Sequence, residues 1–144
     1  MILDNLNKYS DAQAVTVTAV SSNVVDHGQG ARDLGTGENL YLHVNVDTAM
    51  TSAGGTETVT VTMETDDNEA FGSATVAQTI GVFAAASAAG ARLIARLQPL
   101  AINERFTRLR YTVANGPLTA GAFSAYLVHG VDAGAHKPDN ITIS

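Results

Sequence analysis

The side chains able to ligate a metal are few and scattered. Four histidines, His27, His43, His129 and His136, stand singly, without the close pair on one strand that would aim two imidazoles at a single ion. Folding can still join distant residues. His43 and His129, both in strand-like segments, are therefore the pair to examine, with a carboxylate as a third ligand in a cupin-like metal enzyme. His43 falls on the polar side of its segment, which speaks for an ordinary surface histidine. Asp66, Asp67, Asn68 and Glu69 form an oxygen-rich turn of a kind that holds calcium when several ligands converge. They lack the spaced alternation and the glycine of an EF-hand loop, and Asx-type turns account for them more simply.

Covalent and phosphate chemistry find less support. The chain has no cysteine, so thiolate catalysis, thiolate metal sites and disulfides are excluded. It contains no nucleophile elbow of the G-x-S-x-G kind and neither of the glycine patterns that cradle phosphates. The separation of two carboxylates across a glycosidase cleft cannot be read from a linear chain. The sequence predicts no enzyme, no catalytic residue, no cofactor and no metal.

The arginines are the informative group. Arg92, Arg96, Arg105, Arg108 and Arg110 are five of the eight basic residues and fall within nineteen positions, against a formal net charge of −6. Two readings compete. The guanidinium forks could pair with carboxylates on a neighbouring subunit, or they could pair across adjacent strands with this chain's own surplus acids.

The elements that must position these residues are strands. Strict alternation of apolar and polar residues, the period of a half-buried strand, runs through ETVTVTMET (57–65), LYLHVNVD (40–47) and FTRLRYTV (106–113). The first places Val59, Val61 and Met63 on one face, the second Leu40, Leu42, Val44 and Val46. The third sets Leu109, Tyr111 and Val113 opposite Arg108 and Arg110. Weaker strands are expected at 14–20, 23–26, 74–80, 92–98 and 123–131, about eight in all, with turns at 28–37, 52–56, 66–68 and 115–121. GVFAAASAAGA (81–91) has alanine's helix propensity but neither a cap nor a polar stripe, and is expected to be a loop with at most one helical turn. Many short strands with glycine-rich turns imply an all-β sandwich or barrel.

At 144 residues one hydrophobic core suffices, and no Pro- or Ser-rich linker divides the chain. The expected organisation is one domain, with an N-terminal arm at 1–11, a sandwich at 12–132 and a C-terminal tail at 133–144, the two ends being extended arms that order against a partner. The acidic balance disfavours nucleic acid and anionic lipid. No run approaches the ~18 apolar residues of a membrane helix, and the first residues do not read as a secretion signal. A cytoplasmic site of synthesis is expected. Only 15% of residues are charged, so small, weakly hydrated side chains cover much of the surface and suit close contact with another protein.

Three stretches taken together, MILDNLNKYSDAQAVT, DLGTGENLYLHVNVDTAMTSAGGTETVTVTMETDDNEAF and RLRYTVANGPLTAGAFSAYLV, resemble the jelly-roll capsid cement (decoration) proteins of tailed bacteriophages. The likeness lies in the order of segments from Met1 to about Val131. It departs from that pattern in the alanine-rich stretch 83–91 and in the tail after Asp132. The resemblance implies a jelly-roll β-sandwich that joins the outer surface of the virion capsid after the shell expands. It further implies that the protein bridges major capsid protein subunits, works as a homodimer or homotrimer, and is synthesised in the host bacterial cytoplasm. No catalytic residues come with it. Candidate contacts with the capsid or between subunits are Ile2 and Leu3, as apolar anchors on the N-terminal arm, and Arg92, Arg96, Arg105, Arg108 and Arg110. A jelly-roll carbohydrate-binding domain on the phage particle is the alternative, and it requires exposed aromatics to stack on sugar.

Overall fold

The computed structural model describes residues 5–28, 39–98 and 102–129. After a 3-10 turn at Asn5–Asn7 come nine strands: β1 (Lys8–Ala14), β2 (Ala19–Val20), β3 (Val25–Asp26), β4 (Leu40–Ser52), β5 (Thr58–Asp66), β6 (Thr75–Phe83), β7 (Arg92–Arg96), β8 (Phe106–Ala114) and β9 (Leu118–His129). They form two antiparallel sheets. One has the order β1-β9-β4-β7, the other β2-β8-β5-β6, with β3 also pairing β8. The short β2 and β3 share one position on β8, so eight strand positions divide between two four-position sheets, with successive positions changing sheet except at the β5–β6 hairpin. This is the double-sheet arrangement of a jelly roll, as the sequence led us to expect.

The strongest alternations became the strongest strands. Leu42, Val44 and Val46 of β4 and Val59, Val61 and Met63 of β5 are wholly buried, with Leu109 and Tyr111 of β8 completing the inner face. Tyr111 stacks on Phe123 at 5.4 Å between ring centroids, and Phe83 packs tilted against the same ring at 5.4 Å. This aromatic row joins the two sheets through the middle of the core.

Several boundaries differ from expectation. The apolar alternation at 14–20 predicted a strand there, whereas the chain turns at 15–18, and Val17 is 59% exposed. The strand lies earlier, in the polar sequence KYSDAQA, which the sequence assigned partly to an N-terminal arm. Hydrogen bonds hold it in place of greasy alternation: Ser10 Oγ meets Tyr111 Oη at 2.9 Å, and Gln13 Nε2 donates to the Val20 carbonyl at 2.8 Å. A register shift between Ser10 and Gln13 contains Ala12 at φ 45°, a bulge that hides the strand's period. The last strand starts at Leu118, inside a predicted turn. Its Ala-Gly-Ala stretch has low strand propensity but is paired to β1 and β4 on its two sides, and Val15 N donates to the Gly121 carbonyl at 3.0 Å. Finally, β4 continues to Ser52 beyond its alternating part, through register shifts against β9 between Val46 and Ser52.

The alanine-rich stretch divides. Gly81–Phe83 close β6, and the remainder is a loop with no helix. Ala86 and Gly90 take positive φ of 57° and 88° there. At the same end of the fold, Asn115 and Gly116 both have positive φ, 66° and 116°, the conformation that favours the Asn-Gly pair in a tight turn. Most of the predicted turn at 28–37 and the tail at 133–144 lie outside the described residues.

Candidate functional site

The arginines sort by the sheet position of their strands. β8 lies between β2/β3 and β5, and its register sets Arg108 opposite Glu64 and Arg110 opposite Thr62. Glu64 therefore stands where both guanidinium groups can reach it. Arg108 Nε donates to Glu64 Oε2 at 2.7 Å, Arg110 Nε donates to Oε1, and the Arg108 guanidinium also lies 4.2 Å over the Phe71 ring. Side-chain exposure is 7% for Glu64, 15% for Arg108 and 36% for Arg110. Burial alone would raise the Glu64 carboxyl, but hydrogen bonds and charge from Arg110 and Arg108 outweigh it and hold the group below its ordinary value. Arg105 forms a two-pronged pair with Asp26, at 2.9 and 2.8 Å. With Arg105 as the main cause, the Asp26 carboxyl falls to about 2. These three arginines pair within the chain.

Arg92 and Arg96 behave otherwise. They flank Ile94 on β7, the end strand of its sheet, and both side chains are exposed, with Ile94 at 39%. Neither forms an ion pair among the described residues. Leu93 points the opposite way, into the core, and packs over Gly81 of β6, where an added Cβ would come within 3.1 Å of two Leu93 methyl carbons. The alternation thus buries Leu93 and turns the Arg-Ile-Arg row outward. Ile2 and Leu3, the other two predicted contact residues, lie outside the described residues.

The histidine pair is not formed. His43 lies opposite Tyr126 on β9, while His129 lies opposite Leu40. Since Leu40 faces inward and His43 outward, the two imidazoles fall on opposite faces of the sheet. His43 is half-buried on the outer face beside Ile94, both ring nitrogens are shielded, and neither has a hydrogen-bond partner. Burial, with a smaller contribution from the charge of Arg92, lowers its pKa below 6.5. His136 lies outside the described residues.

The acidic turn is an Asx turn. Asp66 Oδ1 accepts from Asn68 N at 2.9 Å and Oδ2 from Ser73 N at 2.8 Å, while Asn68 Oδ1 accepts from Ala70 N at 2.9 Å. The Asn68 amide is the largest cause of a lowered Asp66 carboxyl, and Asp66 in turn raises Asp67. Among the described residues no group of three His, Cys, Asp or Glu side chains is placed to hold a metal ion. Glu57, which no sequence signal singled out, closes the β4–β5 turn. The Ser52 hydroxyl and the Gly54 and Thr56 amides bring its carboxyl down to about 2.

Six of the eight aromatic side chains are buried: Tyr9, Tyr111, Phe71, Phe83, Phe106 and Phe123. Tyr41 and Tyr126 are the half-exposed pair, on the outer face around His43. The described surface therefore offers sheet exteriors and strand edges, and its chemistry-bearing groups are mostly tied into turns and ion pairs.

Fold and surface together define an all-β jelly-roll sandwich whose inner faces are apolar and in which, among the described residues, the Arg92–Arg96 row on an edge strand forms no ion pair. The chain belongs to the Bbp16 family, whose model matches residues 9–127. That match covers nearly the whole sandwich, from the second residue of β1 to within two residues of the end of β9. No curated protein matches the chain.

Proposed function

We propose that this protein is a capsid cement protein of a tailed phage, which binds the outer surface of the virion shell, bridges major capsid protein subunits and stabilises the expanded form. The observation that carries the reading is the Arg92–Ile94–Arg96 row: an exposed apolar side chain between two cations that meet no acid among the described residues, on a chain of net charge −6. Guanidinium groups of this kind suit carboxylates on another protein, and flanking an apolar contact they give a small surface both adhesion and selectivity. The resemblance in segment order to cement proteins supports the same reading. A cement needs adhesion and no chemistry. Many equivalent contacts on one shell sum to a large stabilisation even when each is modest. A homodimer or homotrimer of the chain, made in the host bacterial cytoplasm, would span adjacent capsid subunits.

The test is co-sedimentation of the purified protein with expanded capsids of its own phage that lack it, followed by heating. Saturable binding that raises the temperature of shell disruption is expected. A folded protein that stays in the supernatant overturns the reading, and a glycan array would then examine Tyr41 and Tyr126 as a sugar-stacking pair.

A further inference from the structure

The ladder between β4 and β7 shows where the backbone of β7 points. Leu97 N donates to the Leu40 carbonyl at 2.9 Å, and Val46 N donates to the Ala91 carbonyl at 2.8 Å. The facing pairs run 41/96, 42/95, 43/94, 44/93 and 45/92. In an antiparallel ladder every second pair exchanges hydrogen bonds, so 42/95 and 44/93 continue the bonded series. Arg92, Ile94 and Arg96 consequently turn their N–H and C=O groups away from β4, toward the free edge of the sheet. Their side chains form the exposed outer row. One short strand thus offers backbone hydrogen bonds and a cation–apolar–cation pattern in the same three residues.

Part of that edge is already closed. Gln78 of β6 reaches across the seam between the sheets, donating from Nε2 to the Arg96 carbonyl at 3.0 Å and accepting from Gln98 N at 3.0 Å. Its amide occupies the place a neighbouring strand would take at that end. The edge groups of Arg92 and Ile94 have no such cover among the described residues. The opposite edge of the same sheet contrasts with this, because Asn23 N donates to the Tyr9 carbonyl at 2.9 Å and Asn23 Nδ2 to the Lys8 carbonyl at 3.3 Å.

We propose that the open edge of β7 is a β-augmentation site for an extended, carboxylate-bearing segment of the partner protein, which adds a strand beside Arg92–Ile94. The occupant follows from charge and register. Arg92 and Arg96 are about 13 Å apart at the rise of an extended strand, so a guest strand with acids four residues apart can meet both. A second β7 is a poor guest, since antiparallel self-pairing about Ile94 would set Arg92 against Arg96 of the other copy, like charge against like. Edge arginines of this kind discourage indiscriminate pairing and admit an acidic strand, a recognised mode of peptide capture. The inference rests on the cement reading for the identity of the partner and deepens it by naming the contacting strand.

The experiment is amide hydrogen exchange, read residue by residue after quenching, on the full chain alone and bound to expanded capsids of its own phage that lack it. In the free protein the Arg92 and Ile94 amides should exchange fast and those of Leu93 and Ala95 slowly. On the capsid Arg92 and Ile94 should become slow. The double variant Arg92→Glu/Arg96→Glu should lose at least about tenfold in capsid affinity. Ile94→Pro, which removes an outward N–H that an edge strand can forgo, should bind more weakly with an unchanged melting transition. If Ile94→Pro does not fold, the exchange of the unaltered protein decides. A complex that sediments while Arg92 and Ile94 still exchange fast overturns the edge assignment and leaves the cement reading standing. No sedimentation at all overturns both. Protection that appears in the free protein as its concentration is raised would assign the edge to a second copy and overturn the acidic partner.

Discussion

On β8, Arg108 and Arg110 stand two residues apart and close on the single carboxylate of Glu64. On β7, Arg92 and Arg96 stand four residues apart with Ile94 between them and meet no carboxylate among the described residues. Each pair lies on one face of one strand. The difference comes from what lies beside the strand: β8 has β5 next to it, with an acid in register, whereas β7 has β4 on one side and, among the described residues, no strand on the other. A charge on a central strand is satisfied by the sheet itself. On an edge strand it is left exposed. The same alternation of side chains builds a structural ion-pair network in one place and an exposed cation–apolar–cation row in the other.

Acid should break the first arrangement and spare the second. Glu57 and Asp26, with carboxyls at about 2, and the lowered Glu64 and Asp66 bind protons more weakly when folded than when unfolded. Their stabilisation is complete above the ordinary values of 4.5 and 3.8 and is lost as the pH falls through the folded-state values, which for Glu57 and Asp26 are about 2. Thermal melting between pH 7 and pH 3 should show a steep fall below about pH 5. His43 adds to that slope, because its lowered pKa lets the unfolded chain take up a proton first as the pH falls below 6.5. A flat profile would mean that these carboxylates contribute little to the folded state.

Glu64→Ala sharpens the comparison at one residue. It leaves Arg108, only 15% exposed, without its carboxylate, and should cost about 2–3 kcal/mol in denaturant unfolding, less than a fully buried pair because Arg110 keeps contact with water. Gln78→Ala is next, at about 1 kcal/mol, and should speed exchange of the Gln98 amide by freeing the closed end of the β7 edge. Smallest is Arg92→Glu/Arg96→Glu, which should change stability by no more than about 0.5 kcal/mol. A large loss of stability there would show that the β7 arginines are structural after all, and the contrast with β8 would collapse.

Much of this was legible in the residues. The inward faces of β4, β5 and β8 follow from side chains that alternate with a period of two, and burial confirms each apolar position from Leu40 to Val46 and from Val59 to Met63. The common face of Arg108 and Arg110 was legible for the same reason. Strand β1 was not, because polar residues and a bulge at Ala12 replace the alternation, and the bonds that hold it go to Tyr111 and Val20, distant in the chain or beyond a turn. The start of β9 was hidden by small residues whose strand conformation depends on neighbours at both edges.

Composition and periodicity determined that this chain would be all-β, acidic and built around a Val- and Leu-rich interior, since those properties depend on residue type and near-neighbour spacing. Which arginines would be satisfied, that His43 and His129 would face apart, and that β7 would keep an open edge were decided only by tertiary structure. Register and strand order set those outcomes. They join residues tens of positions apart, and no local pattern encodes which strand becomes another's neighbour.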